Sequence, residues 1–247
     1  THYLHCPPNM ARQLVVFDFD YSMADNDTDR WVFEVNAPEI RRWIEDNEGG
    51  IQFTDMIAQA LRDAHARGVT REQLENALRI MPFHPAMVRA IKNLNAGGKT
   101  TFFCLSNANS IYISTILKEQ GLESMFTEIV TNPAEWTETG LLALRRRVDP
   151  SGPQHACTVG CSANMCKGWE ELETFYARHE PTFDRVVYVG DGSNDFCPAL
   201  RLRSQDLLLC RTFGGLHKRI ARDGGLKCSV KYWTGAWEVE EVFKTLA

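Results

Sequence analysis

The hydrophobic and polar positions of the chain alternate between two kinds of block. Residues 14–17 are apolar without interruption and give way at once to Asp18, Phe19 and Asp20. A run of that kind predicts a strand buried on both faces, as in the middle of a parallel sheet. From residue 30 to about 82 the apolar spacing changes to three and four. The segments WVFEV, EIRRWIED, FTDMIAQALRDAHARG and TREQLENALRIM each predict an amphipathic helix, with Gly49-Gly50 and Gly68 between them. Thr70 followed three residues later by Gln73 is a capping-box pair that starts a helix at Arg71. Beyond Pro82 the two periods alternate. Helices are predicted at 85–95, 110–119, 167–179, 216–222 and 236–246, and strands at 100–105, 126–130, 185–189, 206–210 and 228–233. A turn at TNP and an Arg-rich hairpin edge at 140–148 complete the pattern.

This order predicts an α/β fold, a Rossmann-like core with a central, mostly parallel sheet and helices on both faces. The core takes residues 1–29 and 83–247, and a helical cap of residues 30–82 is inserted after the first strand. That insertion reads either as a lid over the acidic strand end or as a small helical subdomain.

Composition narrows the function classes. The chain has 247 residues, 44% of them hydrophobic, enough for one domain with a sizeable core. A net charge of −5 gives no basic footprint, which argues against nucleic acid or an anionic membrane surface as main partner. No apolar run approaches a membrane span, and the first residues, THYLHCPPNM, lack signal-peptide character. The expected location is therefore cytoplasmic. The eight Cys include Cys104 and Cys210 inside strand-like runs, which favours reduced thiols over a disulfide framework.

Candidate chemistry gathers at the strand ends. Asp18 and Asp20 can project from one side of the first strand end, and carboxylates so crowded call for a hard divalent cation with oxygen ligands. A solvated acidic loop is the plainer alternative. Ser106, at the end of the second strand, reads either as an anion contact at a helix N-terminus or as that helix's N-cap. The strand at 185–189 runs into GDGSND, again carboxylates after a strand, with glycines that admit close approach of a ligand. His155, Cys157, Cys161 and Cys166 could hold Zn²⁺ as a Cys₃His set or be partly buried thiols. Trp31, Phe33, Trp43 and Phe53 suit an apolar leaving group or, equally, the core of the cap.

Taken in order, DFD, Ser106-Asn107, Lys167 and GDGSND resemble the four motifs of the haloacid dehalogenase superfamily, over most of the chain. The strings TNP, ANMCK and YVGDGSNDFCP, with the Cys-rich segment before Lys167, are similar to the phosphoethanolamine/phosphocholine phosphatase family, which includes pyridoxal phosphate phosphatases. The resemblance implies Mg²⁺-dependent hydrolysis of a small phosphate ester through an aspartyl-phosphate. It makes Asp18 the nucleophile, Asp20 the general acid/base and a metal contact, Lys167 the charge-steadying cation, and Asp191 with Asp195 the rest of the magnesium site. Phe19, Ser22, Ser106, Asn107 and Gly192 join Lys167 around the phosphate, and Asp29 faces a cationic head group. Asn107 stands where the family usually has Asp, which keeps the backbone N–H for phosphate and removes one negative charge from the head-group side. Phosphotransfer, an apolar prenyl phosphate or a diphosphate as substrate, and a non-catalytic regulatory module keeping the fold are the competing readings.

Overall fold

The computed structural model describes residues 12–179 and 183–247, so THYLHCPPNM lies outside the described residues. Its frame is a six-stranded sheet in the order β3 (Phe126–Asn132), β2 (Thr100–Asn109), β1 (Gln13–Phe17), β6 (Arg185–Gly190), β7 (Leu207–Arg211), β8 (Ser229–Trp233), with every neighbouring pair parallel. Strand β1 is Gln13–Phe17, and the helices α1 (Thr28–Asn36), α2 (Pro38–Asn47), α3 (Phe53–Ala66) and α4 (Arg71–Arg79) follow it. Then come α5 (Pro85–Ala96), β2 (Thr100–Asn109), α6 (Ser110–Glu119) and β3 (Phe126–Asn132). The antiparallel pair β4 (Ala134–Trp136) and β5 (Leu142–Leu144) stands apart from the main sheet. A π-helical turn at Lys167–Leu172 leads into α7 (Glu173–Arg178), and β6 (Arg185–Gly190), α8 (Phe196–Ala199) and β7 (Leu207–Arg211) follow. The chain closes with α9 (Gly215–Asp223), β8 (Ser229–Trp233) and α10 (Ala236–Lys244).

Period-two alternation in each central strand sends side chains into two separate apolar layers. Val15, Phe17, Phe102, Cys104, Val187, Val189 and Leu209 face one layer. Leu14, Val16, Phe103, Leu105, Val186, Tyr188, Leu208 and Cys210 face the other, where Phe175 stacks on Phe103 with ring centroids 4.2 Å apart. The first layer is continuous with the buried faces of α1–α4, α5, α6 and α10; the second is covered by residues from the π-helical turn, α7, α8 and α9. Helices on both faces explain why the central strands carry no polar alternation.

Two local predictions needed correction. The second strand runs to Asn109 rather than ending at Leu105, and the N-cap of α6 is Asn109, whose side chain accepts from the Tyr112 N–H, so Ser106 is not the cap. The Thr70–Gln73 box is present in both directions. No described helix is long and apolar enough to cross a membrane.

Candidate active site

Register brings the chemistry together. Phe17 is level with Cys104 on one side and Val189 on the other, so Asp18 and Asp191, just past the ends of their strands, and Ser106, within β2, lie at the same carboxyl end of the sheet. Strand β1 lies at the centre of the order, between β2, the next strand in sequence, and β6, where the strand order reverses, and the carboxyl ends of strands at such a point are where open parallel sheets bind ligands.

Lys167 is fully buried, and its Nζ donates to Asp18 Oδ1 at 2.7 Å and to Asp195 Oδ1 at 2.8 Å. The Phe19 N–H also donates to Asp18 Oδ1, at 2.8 Å. Among the described residues no hydrogen bond reaches Asp18 Oδ2, which leaves that atom to face a ligand. Asp195 is saturated: Oδ1 takes Lys167 and the Tyr188 hydroxyl (2.7 Å), while Oδ2 takes the N–H groups of Asp191 (3.1 Å) and Gly192 (3.0 Å). Four donors fill the acceptor capacity of a carboxylate. Asp195 therefore organises the GDG turn and Lys167, a duty its place among expected metal ligands did not reveal. Gly190 has to be glycine here, because a Cβ would lie 2.7 Å from Asp195 Oδ2.

Asp20 accepts from the Thr28 N–H at 3.0 Å and from its hydroxyl at 3.2 Å, so the first turn of α1 fixes its carboxyl. Tyr21, immediately after it, has φ 54°, a left-handed conformation that is costly for a non-glycine residue and turns the chain away at the site. Ser22 donates to Asp191 Oδ1 at 3.3 Å. Ser106 Oγ accepts from the Ala108 N–H at 3.1 Å, which leaves its own hydroxyl hydrogen available. Asn107 Nδ2 donates to Asn164 Oδ1 at 3.3 Å, while its buried Oδ1 has no partner among the described residues. Asp29 is buried in the first turn of α1, and among the described residues its Oδ1 also lacks a partner.

Burial, then Asp195, pushes Asp191 up to about 7. Burial also raises Asp18, reinforced by Asp195, and raises Asp20, reinforced by Asp27 and Asp29. Burial alone would lower Lys167, but Asp18 and Asp195 outweigh it and hold its ammonium above the usual range. Asp18, Asp191 and Asp195 bring ligand oxygens within 4.8 Å of one another with one buried ammonium among them. That surplus of hard oxygen charge fits a small divalent cation such as Mg²⁺.

The sequence reading left out a network of amides that shapes the loop around Asn107. Asn132 Nδ2 donates to the carbonyls of Asn107 (2.6 Å) and Ala108 (3.0 Å), and Asn132 Oδ1 accepts from Asn164 Nδ2 (3.1 Å). Both side chains lie in strings already noticed, TNP and ANMCK, but Asn is so common in turns that its type gave no signal. The Cys₃His grouping is not the one formed: His155 Nε2 lies 2.8 Å from the Ser162 carbonyl, and the fourth residue beside Cys157, Cys161 and Cys166 is Cys197.

The sequence model of a family described as Putative Phosphatase matches residues 13–247. The chain is 30% identical over 233 residues to inorganic pyrophosphatase 2 of Arabidopsis thaliana, covering 93% of this chain and 81% of that protein. It is 29% identical over 236 residues to the pyridoxal phosphate phosphatase PHOSPHO2 of Rattus norvegicus, covering 92% and 95%. Among solved structures, a phospho-aspartyl intermediate analogue of phosphoserine phosphatase superposes with a TM-score of 0.62 at 16% identity, over 96% of this chain and 99% of that one, a likeness of fold. With the strand-end carboxylates and buried lysine in place and a family match spanning nearly the whole described chain, this protein belongs to the Putative Phosphatase family and is a phosphatase of the haloacid dehalogenase superfamily.

Proposed function

We propose that the chain is a magnesium-dependent phosphomonoester hydrolase that works through a phosphorylated Asp18 on a small metabolite such as phosphocholine, phosphoethanolamine or pyridoxal phosphate. The observation that carries this reading is the division of the Asp18 carboxylate: Oδ1 is anchored by Lys167 and the Phe19 N–H, and Oδ2 is left without a donor.

In this reading Asp18 Oδ2 forms a bond to phosphorus as the bond to the leaving alkoxide breaks. Asp20, held by Thr28, gives its proton to that alkoxide. Its raised proton affinity suits a carboxyl that must be protonated at the first step. Water then attacks phosphorus, the Asp18 oxygen leaves, and Asp20 takes the water proton back. Lys167 offsets charge on Asp18 and the incoming phosphate, and the Ser106 hydroxyl donates to a phosphate oxygen. Asp18, Asp191 and the Asp20 carbonyl would hold Mg²⁺, with Asp195 behind them as organiser. When bound, the ion supplies positive charge that lets one anion approach another.

The head group would meet Asp29 and Asn107, whose buried Oδ1 atoms lack partners. Unsatisfied buried acceptors are rare unless a ligand completes them, and these two call for an N–H donor such as the ammonium of phosphoethanolamine or for the positive charge of a quaternary ammonium, which has no N–H to donate. Residues 30–82 would form the cap that closes over it, with residues 1–29 and 83–247 as the core. A cytoplasmic location accords with this substrate class.

Phosphate release should be followed across phosphocholine, phosphoethanolamine, pyridoxal phosphate, sugar phosphates, prenyl phosphates and inorganic pyrophosphate, with Mg²⁺ and with chelator. Preference for N–H-bearing or cationic monoesters, loss in chelator and loss in Asp18→Asn are expected. Full activity of Asp18→Asn would sink the mechanism, and preference for pyrophosphate or prenyl phosphates would sink the head-group assignment.

A further inference from the structure

Beside the phosphate site, and outside the chemistry described so far, three sulfur atoms from the segment 157–166 meet a fourth from Cys197. Cys157 Sγ is 3.6 Å from Cys161 Sγ and 3.7 Å from Cys197 Sγ, and Cys166 Sγ is 3.8 Å from Cys197 Sγ. All four sulfurs lie within 4.8 Å of one another, and none is in a disulfide. A tetrahedron with corners about 2.3 Å from its centre, the length of a zinc–thiolate bond, has edges of about 3.8 Å. The three spacings reproduce that edge. A disulfide would need about 2.05 Å, and a multinuclear iron–sulfur cluster, whose thiolates bind different irons, would hold them farther apart.

The backbone around the sulfurs is shaped for this arrangement. Between Cys157 and Cys161 the chain reverses through Gly160 at φ 92°, and the Val159 N–H donates to Cys157 Sγ at 3.5 Å, the kind of contact that offsets thiolate charge. The Arg219 guanidinium reaches the carbonyl of Val159 and that of Ser193, which puts a positive charge beside a centre whose formal charge would be about −2 with four thiolates. Cys166 and Cys197 come from segments that pack without a gap: a Cβ on Gly168 would lie 2.5 Å from the Cys197 carbonyl carbon.

We propose that Cys157, Cys161, Cys166 and Cys197 bind one zinc ion as a closed tetrathiolate site. With four protein ligands there is no open position for substrate, so the ion is structural. Four thiols lose their protons on binding and no electron moves, so no oxidant or reductant is needed. The site fastens the residue before Lys167 to the segment two residues past Asp195, across the ion pair those two side chains form.

The test needs no substrate, so its outcome stands apart from that of the hydrolase reading. The full chain is purified under reducing conditions and assayed for total metal, as wild type and as Cys157→Ser, Cys197→Ser and His155→Ala. About one zinc per wild-type chain is expected, unchanged in His155→Ala and lost from both serine variants. Exchange of the wild-type protein with Co²⁺ should give the intense thiolate-to-cobalt absorption of a tetrahedral site, a readout that holds even if a serine variant fails to fold. The proposal is overturned by folded wild-type protein that contains no zinc after reconstitution, by zinc retained in Cys197→Ser, by loss of zinc in His155→Ala, or by a coloured mononuclear iron centre.

Discussion

Asp18 and Asp20 are the same residue type two positions apart, and their neighbours give them different duties. Asp18 lies against a buried ammonium, while Asp20 lies among other carboxylates and is tied to Thr28. Burial raises both carboxyls; Lys167 works against that rise at Asp18, whereas the nearest charges at Asp20, those of Asp27 and Asp29, add to it. Asp20→Asn should therefore lower kcat by about 10²- to 10⁴-fold for alkyl phosphates, the range of general acid–base catalysis, and much less in the phosphorylation step for aryl phosphates with good leaving groups. A leaving-group series read as a Brønsted plot checks this; equal losses along the series would remove Asp20 from the acid role. At this scale the sequence was most legible where a residue's type is itself rare after a strand. Carboxylates stand out there, and Lys167, which follows a long loop, drew its role from the family resemblance, whereas Asn132, Asn164 and Tyr188 are ordinary residues that gain a place in the site only through the partners the fold gives them.

At the scale of elements, the predicted strands and helices are almost all present because burial of one face dictates a period that reads directly along the chain. Their ends were harder to read. Strand β2 continues past Ser106 since Asn109 pairs with Asn132 of β3, a contact that no local pattern encodes. The π-helical turn at Lys167–Leu172 was likewise hidden, and its wider hydrogen bonding, Glu171 N–H to the Cys166 carbonyl at 3.1 Å, is a feature often found at functional positions. Gly168 explains how that turn can approach α8. Gly168→Ala would force a methyl group onto the Cys197–Pro198 backbone, which cannot swing aside as a side chain can. A loss of about 1–3 kcal/mol of stability is expected from overpacking of this kind. Because Lys167 is the adjacent residue, kcat should fall with it. Denaturant unfolding and steady-state kinetics on one preparation check both, and wild-type values in either would show that the turn yields more easily than its contacts imply.

For the whole molecule, the question is how far the helical segment of residues 30–82 is separate from the sheet. One apolar layer runs from Val15 and Phe17 through Phe19, Met23 and Ala24 to Val32, Phe33, Met56 and Ile57, all buried. Hydrogen bonds reinforce that continuity: Arg146 Nε donates to Asp55 Oδ1 at 2.8 Å, joining α3 to the stretch after β5. Separating the segment from the sheet would expose side chains that each contribute about 1.5–3 kcal/mol by burial. A change of period between the acidic strand end and the next strand marks these four helices in the sequence. It could not show that the helices share their core with the sheet, because the same apolar faces serve a free-standing helical bundle equally well. A shared core predicts that the segment and the sheet lose structure together. Thermal unfolding followed by tryptophan fluorescence, which samples Trp31 and Trp43 in the segment along with Trp233 in β8, should coincide with far-ultraviolet circular dichroism in a single transition. Two separated transitions, the earlier abolished by removing residues 30–82, would mean that the segment holds its own core, and a cap able to leave the sheet at little cost would then follow.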